Sequence, residues 1–245
     1  MSALMLRIIA CAAMLIDHIG FCWGIGVFRL IGRIAFPIYV FLIYNGYRHT
    51  SSKWRYALRL LAFAVLSQIP HALFVSNQLT YESGNVFFTL FAALIAVWSL
   101  DTMLRHKILR WLSLLPSLSI CVLYHFEIIQ SSYDAIGILM VLTFYFCDRK
   151  GTLWKILTVL GLVLSIYYAF FLSCIGWLFM NDTATTMPDT WKMQQIFATG
   201  ALIPIFLYND KKGSLPKSIS PKAVQYGFYL FYPLHMLILW VLRTI

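Results

Sequence analysis

The sequence predicts an all-α, polytopic integral membrane bundle of about nine to ten transmembrane helices, one domain over residues 1–245, and three observations predict it. The first is composition: 61% of residues are apolar, 11% are charged, and the mean hydropathy is +0.78. A soluble domain is nearer half apolar and about a quarter charged. Folds of this size bury only roughly 60–75% of the chain's surface, so lipid must cover the remainder. The second is run length: the apolar residues fall into stretches close to the about 20 that a helix needs to cross a bilayer. The third is the placement of Lys and Arg, which gather in alternate connections, the pattern that orients membrane proteins.

The first span is expected at 3–23. Ile8-Ile9-Ala10-Cys11 loosely resembles a lipoprotein cleavage box, but the apolar stretch before it is too short for a signal and Arg7 interrupts it, so an uncleaved span is expected. The second, 27–46, opens with Arg29 and Arg33, four apart and so on one face. The third, 55–76, carries Gln68, Pro70 and His71 near its end, and the fourth, 86–103, follows Asn85, a residue type that caps helix N-termini. The fifth is expected at 108–125, a short sixth at 133–147 and a seventh at 152–177. A short eighth at 194–209 opens with Gln194 and Gln195, and the ninth, 223–243, contains Pro233 and His235. The longest connection, about 178–193, holds Asn181, Asp182, Pro188 and Asp189 and is too short for a soluble domain. No transporter-type internal repeat is visible.

The net charge of +10 and pI near 9.5 would normally raise nucleic acid as a partner. Topology explains the charge instead. Of the 19 basic residues, 14 fall on one set of loops: Arg48, Lys53, Arg55, Arg59; Arg105, Lys107, Arg110; Arg149, Lys150, Lys155; Lys211, Lys212, Lys217, Lys222. Arg7 joins them. The alternate loops hold Arg29, Arg33, Lys192 and Arg243, with the acids Glu82, Glu127, Asp134, Asp182 and Asp189. The N-terminus is therefore expected in the cytoplasm and the C-terminus outside, with no nucleic-acid partner. The five cysteines, Cys11, Cys22, Cys121, Cys147 and Cys174, are odd in number and form no Cys-x-x-Cys pair. Neither a disulfide framework nor a zinc site is expected, and no metal-spaced His/Cys set, phosphate loop or GxSxG elbow appears.

Ionisable side chains inside spans cost about 2.5–3.5 kcal/mol on insertion scales and are functional by default. Asp17 and His18 lie about 22 Å along the first helix, in its outer half. Adjacent residues point about 100° apart, so the two do not share a direction, whereas Arg7, Met14 and His18 form one stripe. An Asp-His dipeptide offers a titratable base and an orienting anion. Arg29 and Arg33 break the charge rule. They are expected either to pair with Asp17 across the short hairpin or to polarise a carbonyl oxygen. His235 follows Pro233, which bends its helix near mid-membrane. This set, opposite a basic inner face, suits chemistry with one substrate from each side, and also a proton-coupled transporter.

A series of ordered segments resembles the TraX family: Met14-Leu15-Ile16-Asp17-His18-Ile19-Gly20, Ile31-Gly32-Arg33-Ile34-Ala35-Phe36-Pro37-Ile38, Gly46-Tyr47-Arg48-His49-Thr50, Ser67-Gln68-Ile69-Pro70, Asn85-Val86-Phe87-Phe88-Thr89-Leu90, Asp134-Ala135-Ile136-Gly137-Ile138-Leu139 and Phe228-Tyr229-Leu230-Phe231-Tyr232-Pro233-Leu234-His235. The resemblance implies a membrane acetyltransferase, the family being named for a conjugation protein that acetylates the N-terminus of pilin. Acetyl-CoA would be the cytoplasmic co-substrate, and an amine or hydroxyl at the outer face of a bacterial inner membrane the acceptor. On this resemblance His18 is the expected catalytic histidine, Asp17 its partner and Arg33 the oxyanion stabiliser. Arg29, Gln68, Asn85 and His235 are expected near substrate, and Arg48, Lys53 and Arg55 at the coenzyme phosphates. The rival expectations are a proton-coupled small-solute transporter and a non-catalytic envelope or pilus assembly factor.

Overall fold

The structure is a computed structural model that describes residues 1–79, 84–125, 132–148, 151–180, 195–214 and 219–244. Eleven α-helices carry the described chain: α1 Ala3–Trp23, α2 Gly26–Gly32, α3 Ala35–His49, α4 Lys53–Leu66, α5 Gln68–Ser76, α6 Val86–Leu104, α7 Leu115–His125, α8 Asp134–Phe146, α9 Thr152–Met180, α10 Leu202–Phe206 and α11 Pro221–Thr244. Tighter 3₁₀ turns at Leu109–Leu112 and Gln195–Ala201 precede α7 and α10. Each of the nine apolar stretches contains helix, several of them broken by turns. Glu82, Glu127, Arg149, Lys150, Asn181, Asp182, Pro188, Asp189, Lys192, Gln194 and Lys217 lie outside the described residues.

The chain is a multi-pass membrane protein. Among the described residues, four helices are long and apolar enough to cross a bilayer: Ala3–Trp23, Val86–Leu104, Pro221–Thr244, and α2 with α3 taken together as Gly26–His49. The pair α4 and α5, bent by 41°, makes a fifth. The other apolar stretches form shorter helices, Leu109–Leu123, Ala135–Phe146, Thr152–Tyr168 and Gln195–Phe206. Only 28–50% of each long span is buried inside the protein, which leaves the rest for lipid. Val27, Val65, Ile69, Ile203 and Ile238 are among the apolar side chains that stand exposed on these outer faces.

The breaks within spans have a covalent cause. Proline has no N–H for the carbonyl four residues earlier, and its ring crowds that turn. Pro37 thus interrupts the ladder at Arg33, where α2 gives way to α3, and Pro70 interrupts it at Leu66, where α4 ends. Pro204 acts likewise at Gly200, beside the junction into α10. Pro233 sits inside α11 without ending it.

In the core, α1 packs on α2, α3 and α11, while α6 packs on α3, α4 and α8. One end of the bundle gathers basic residues. There the Ala3 N–H donates to the Lys211 carbonyl at 2.8 Å, and the Met1 ammonium donates to the Leu207 carbonyl. Arg48 meets Asp148 at 2.9 Å, and Lys155 lies over the Phe206 ring. At the opposite end the Trp240 indole donates to Asn77 at 2.6 Å and Ser132 N–H to the Gly84 carbonyl at 2.9 Å. The Asp17, Arg29 and Arg33 region lies nearer this second end.

Candidate active site

The site begins with the hairpin between α1 and α2. α1 stops at Gly24, which takes a left-handed conformation (φ 68°) and returns its N–H to the Gly20 carbonyl. Two residues later α2 starts and runs back against α1. The approach is close enough that a Cβ on Gly32 would stand 2.2 Å from Asp17 Cβ. Only glycine fits, and its absence of side chain lets both arginines reach one carboxylate. Arg29 Nη1 donates to Asp17 Oδ2 and Arg33 Nη2 to Asp17 Oδ1, each at 2.5 Å. Arg33 Nε also donates to the Arg29 carbonyl at 3.0 Å, which fixes the second guanidinium relative to the first. Asp17 is 8% exposed and Arg33 2%. One anion thus meets two cations in a largely buried place.

His18 points elsewhere. Its partner is His235 of α11: His18 Nδ1 and His235 Nε2 are 2.6 Å apart, with the rings only 6° from coplanar. His235 Nδ1 is 2.6 Å from the Phe231 carbonyl oxygen. A carbonyl can only accept, so in the neutral pair His235 Nδ1 carries a proton and donates. His235 Nε2 is then a lone pair and accepts from His18 Nδ1–H. The tautomer of His18 follows: its Nε2 is unprotonated, a lone pair. Packing against Phe74, with centroids 5.0 Å apart, helps hold the ring.

Asp17, His18, Arg29, Arg33 and His71 line a chamber of about 160 Å³, with Met14, Tyr39, Tyr133, Val86 and Tyr232 among the rest of its wall. A second cavity of about 760 Å³ reaches toward the basic end, where Arg7, His49, Arg59, Asp210 and Lys212 line it. Both cavities are bordered by Met14, Tyr39, Val86 and Tyr232, so these four side chains form the neck between them. Tyr39 is held there by Cys11, with the phenol oxygen and the sulfur 3.1 Å apart. In the larger cavity Arg59 Nε and Asn45 Oδ1 are buried with no hydrogen-bond partner.

The expected stripe of Arg7, Met14 and His18 is realised: they border the larger cavity, the neck and the chamber in turn. Asp17, His18, Arg29 and Arg33 do converge. The geometry corrects the pairing, because the Asp17 carboxylate is taken by two arginines and His18 is oriented by His235. A residue one step along a helix points about 100° away, so Asp17 and His18 serve different neighbours. His235 stands behind His18 and outside the chamber lining.

Asn85 and Gln68, expected near substrate, tie the framework together. Asn85 Oδ1 caps α6 by accepting from the Phe87 N–H at 3.0 Å. Its Nδ2 donates to the Ala64 carbonyl at 2.7 Å and to Gln68 Oε1 at 2.9 Å. These bonds pin the bend between α4 and α5 to the start of α6. The basic residues expected at the coenzyme also differ. Arg48 is drawn to Asp148, Lys53 lies 4.1 Å above the centre of the Tyr47 ring, and Arg55 is exposed. None of the three lines the larger cavity, whose cations are Arg7, Arg59 and Lys212. Helix phase explains this: Tyr56, Arg59 and Leu60 share the inward face of α4, and Arg55 precedes Tyr56 by one position.

A family profile described as "TraX protein" matches residues 2–243. A relative from Dichelobacter nodosus, described as "Probable fimbrial assembly protein FimC, serogroup H1", is 28% identical over 256 residues, covering 97% of this chain and 94% of that protein. No solved structure matches the chain significantly.

Proposed function

Since the chain belongs to the TraX family, we propose that it is an integral membrane acyltransferase of the bacterial inner membrane, with its basic end in the cytoplasm. It would move an acetyl group from acetyl-CoA to an amine or hydroxyl acceptor at the outer face. The observation that carries this reading is the unprotonated His18 Nε2 in a chamber also lined by Arg29 and Arg33, which meets a larger, cation-lined cavity at a narrow neck.

The larger cavity fits the co-substrate's chemistry. Its volume of about 760 Å³ falls within the about 300–1,000 Å³ of small-molecule sites. Arg7, Arg59 and Lys212 would meet the coenzyme phosphates, and the buried, unpartnered Arg59 Nε is a donor that such an anion would satisfy. The pantetheine arm would then pass Met14, Tyr39, Val86 and Tyr232 to bring the thioester to His18.

The acceptor's N–H or O–H donates to His18 Nε2. Its lone pair attacks the acetyl carbonyl carbon, and the N–C or O–C bond forms as the proton passes to Nε2. The C–S bond breaks, coenzyme A leaves as a thiolate with the electron pair, and the thiolate takes the proton back from His18. While His18 is charged, His235 accepts from its Nδ1–H and passes polarisation to the Phe231 carbonyl. A positioned base contributes about 10²–10⁴-fold. Arg29 and Arg33, held at the chamber wall by Asp17, favour the oxyanion that develops on the acetyl oxygen, in a site of low dielectric.

A second reading is favoured by the description of the Dichelobacter nodosus relative: a fimbrial assembly factor without chemistry. Thermal denaturation of the purified protein separates the two. Acetyl-CoA at 100 times its Kd should stabilise a specific binder by about 2.7 kcal/mol. Stabilisation that weakens in Arg59→Gln, together with acetyl transfer, supports the acyltransferase. Absence of both stabilisation and transfer leaves assembly as the better account.

A further inference from the structure

One polar atom in the chamber has no part in the chemistry above. His71 lies in the second turn of α5, its backbone N–H bonded to the Ser67 carbonyl at 3.0 Å. The Pro70 break and the Asn85–Gln68 clamp set α5 at an angle to α4, and α5 packs on α11. That placement brings His71, Phe74 and Val75 into the chamber wall with His18. His71 is 7% exposed, and its Nδ1 is buried with no hydrogen-bond partner. An orphaned polar atom costs about 1–3 kcal/mol, so natural structures keep one only where something else fills it. Among the chamber's other polar groups, Asp17 is committed to two arginines and His18 Nδ1 to His235. His71 Nδ1, which has no partner, and His18 Nε2 belong to the two histidines that line the chamber.

We propose that His71 is an acceptor-binding residue, whose Nδ1 hydrogen-bonds the nucleophilic nitrogen or oxygen of the acceptor while His18 Nε2 takes its proton. The ligand class is a neutral amine or hydroxyl, since an ammonium has no lone pair with which to attack the thioester. His71 fixes the attacking atom relative to the thioester and leaves coenzyme binding untouched. This inference rests on the acyl-transfer reading.

The test is steady-state acetyl transfer by the full chain in nanodiscs, with acetyl-CoA and two acceptor probes: a short peptide with a free N-terminal amine, and an alkyl glucoside for the hydroxyl arm. Whichever probe the wild type acetylates is used to compare His71→Leu, His71→Asn and His71→Gln, with thermal stability measured in parallel. His71→Leu should raise the acceptor KM at least about tenfold and leave the acetyl-CoA KM within about twofold. His71→Asn places a polar atom where Nδ1 lies and should recover most of the loss. His71→Gln reaches the Nε2 position and should not. Should His71→Leu fail to fold, the contrast between Asn and Gln decides alone. An unchanged acceptor KM, as expected if Nδ1 merely holds a water, overturns the assignment, as do equal effects on both KM values or equal behaviour of Asn and Gln. If the wild type acetylates neither probe, the acyl-transfer reading falls, and this inference with it.

Discussion

Two carboxylates in this protein, Asp17 and Asp101, are each clasped by side chains from neighbouring segments, yet their settings differ. Asp101, near the end of α6 at the basic face, accepts from the Tyr47 hydroxyl at 2.6 Å, the Tyr145 hydroxyl at 3.1 Å and Arg105 at 2.8 Å. Its one charge is matched by one cation, and Arg105 is 72% exposed. Asp17 is matched by two cations, one of them almost wholly buried. The first cluster ties α3, α6 and α8 together where water shares the load. The second holds two guanidiniums inside a membrane bundle, where charge is expensive. A latch needs no second buried cation; the proposed site, which must meet an anion, does.

Four substitutions test this contrast, the largest effect first. Asp17→Asn removes the charge that both guanidiniums share and should cost roughly 3–5 kcal/mol of stability, read as a fall in denaturation midpoint in detergent. Gly32→Ala keeps every charge but drives a methyl into Asp17. It should cost roughly 1–3 kcal/mol and lower acetyl transfer by separating α2 from α1. Arg59→Gln removes one cation from the larger cavity. The KM for acetyl-CoA should rise about tenfold or less, with weaker salt dependence than the wild type and no change in stability. Asp101→Asn should shift the midpoint by a few degrees at most, because its ion pair is screened, one tyrosine keeps its acceptor and the other hydroxyl can accept from the new amide. Equal losses in Asp17→Asn and Asp101→Asn would erase the distinction between latch and site.

The spans were legible because hydropathy is local: about 20 apolar residues crossing a bilayer leave their mark whatever packs against them. The helix breaks were half legible. Pro37 and Pro70 are visible, but the 41° bend between α4 and α5 depends on Asn85 and Gln68 clamping it. Arg29 and Arg33 were visible as charges in the wrong place, and their spacing of four allowed a shared carboxylate. What no spacing could reveal was the partner of His18, since His235 lies 217 positions away and is brought near by α11 packing on α1. Which cations line the larger cavity was not legible for a similar reason. Arg48, Lys53 and Arg55 share an end of the bundle with Arg7 and Arg59, but only helix phase decides which of them turns inward. His71 was visible beside Gln68 and Pro70; its unpartnered nitrogen was not, because satisfaction is a property of the folded surroundings.

The central claim is that His18 Nε2 takes the acceptor's proton during acyl transfer, and one measurement addresses it most directly. Purified wild type and His18→Ala, matched for thermal stability, are given radiolabelled acetyl-CoA and an amine or hydroxyl acceptor, and the initial rate of label transfer is measured. A fall of about 10²–10⁴-fold with the acetyl-CoA KM retained is the predicted result. Transfer by His18→Ala at the wild-type rate would contradict the account.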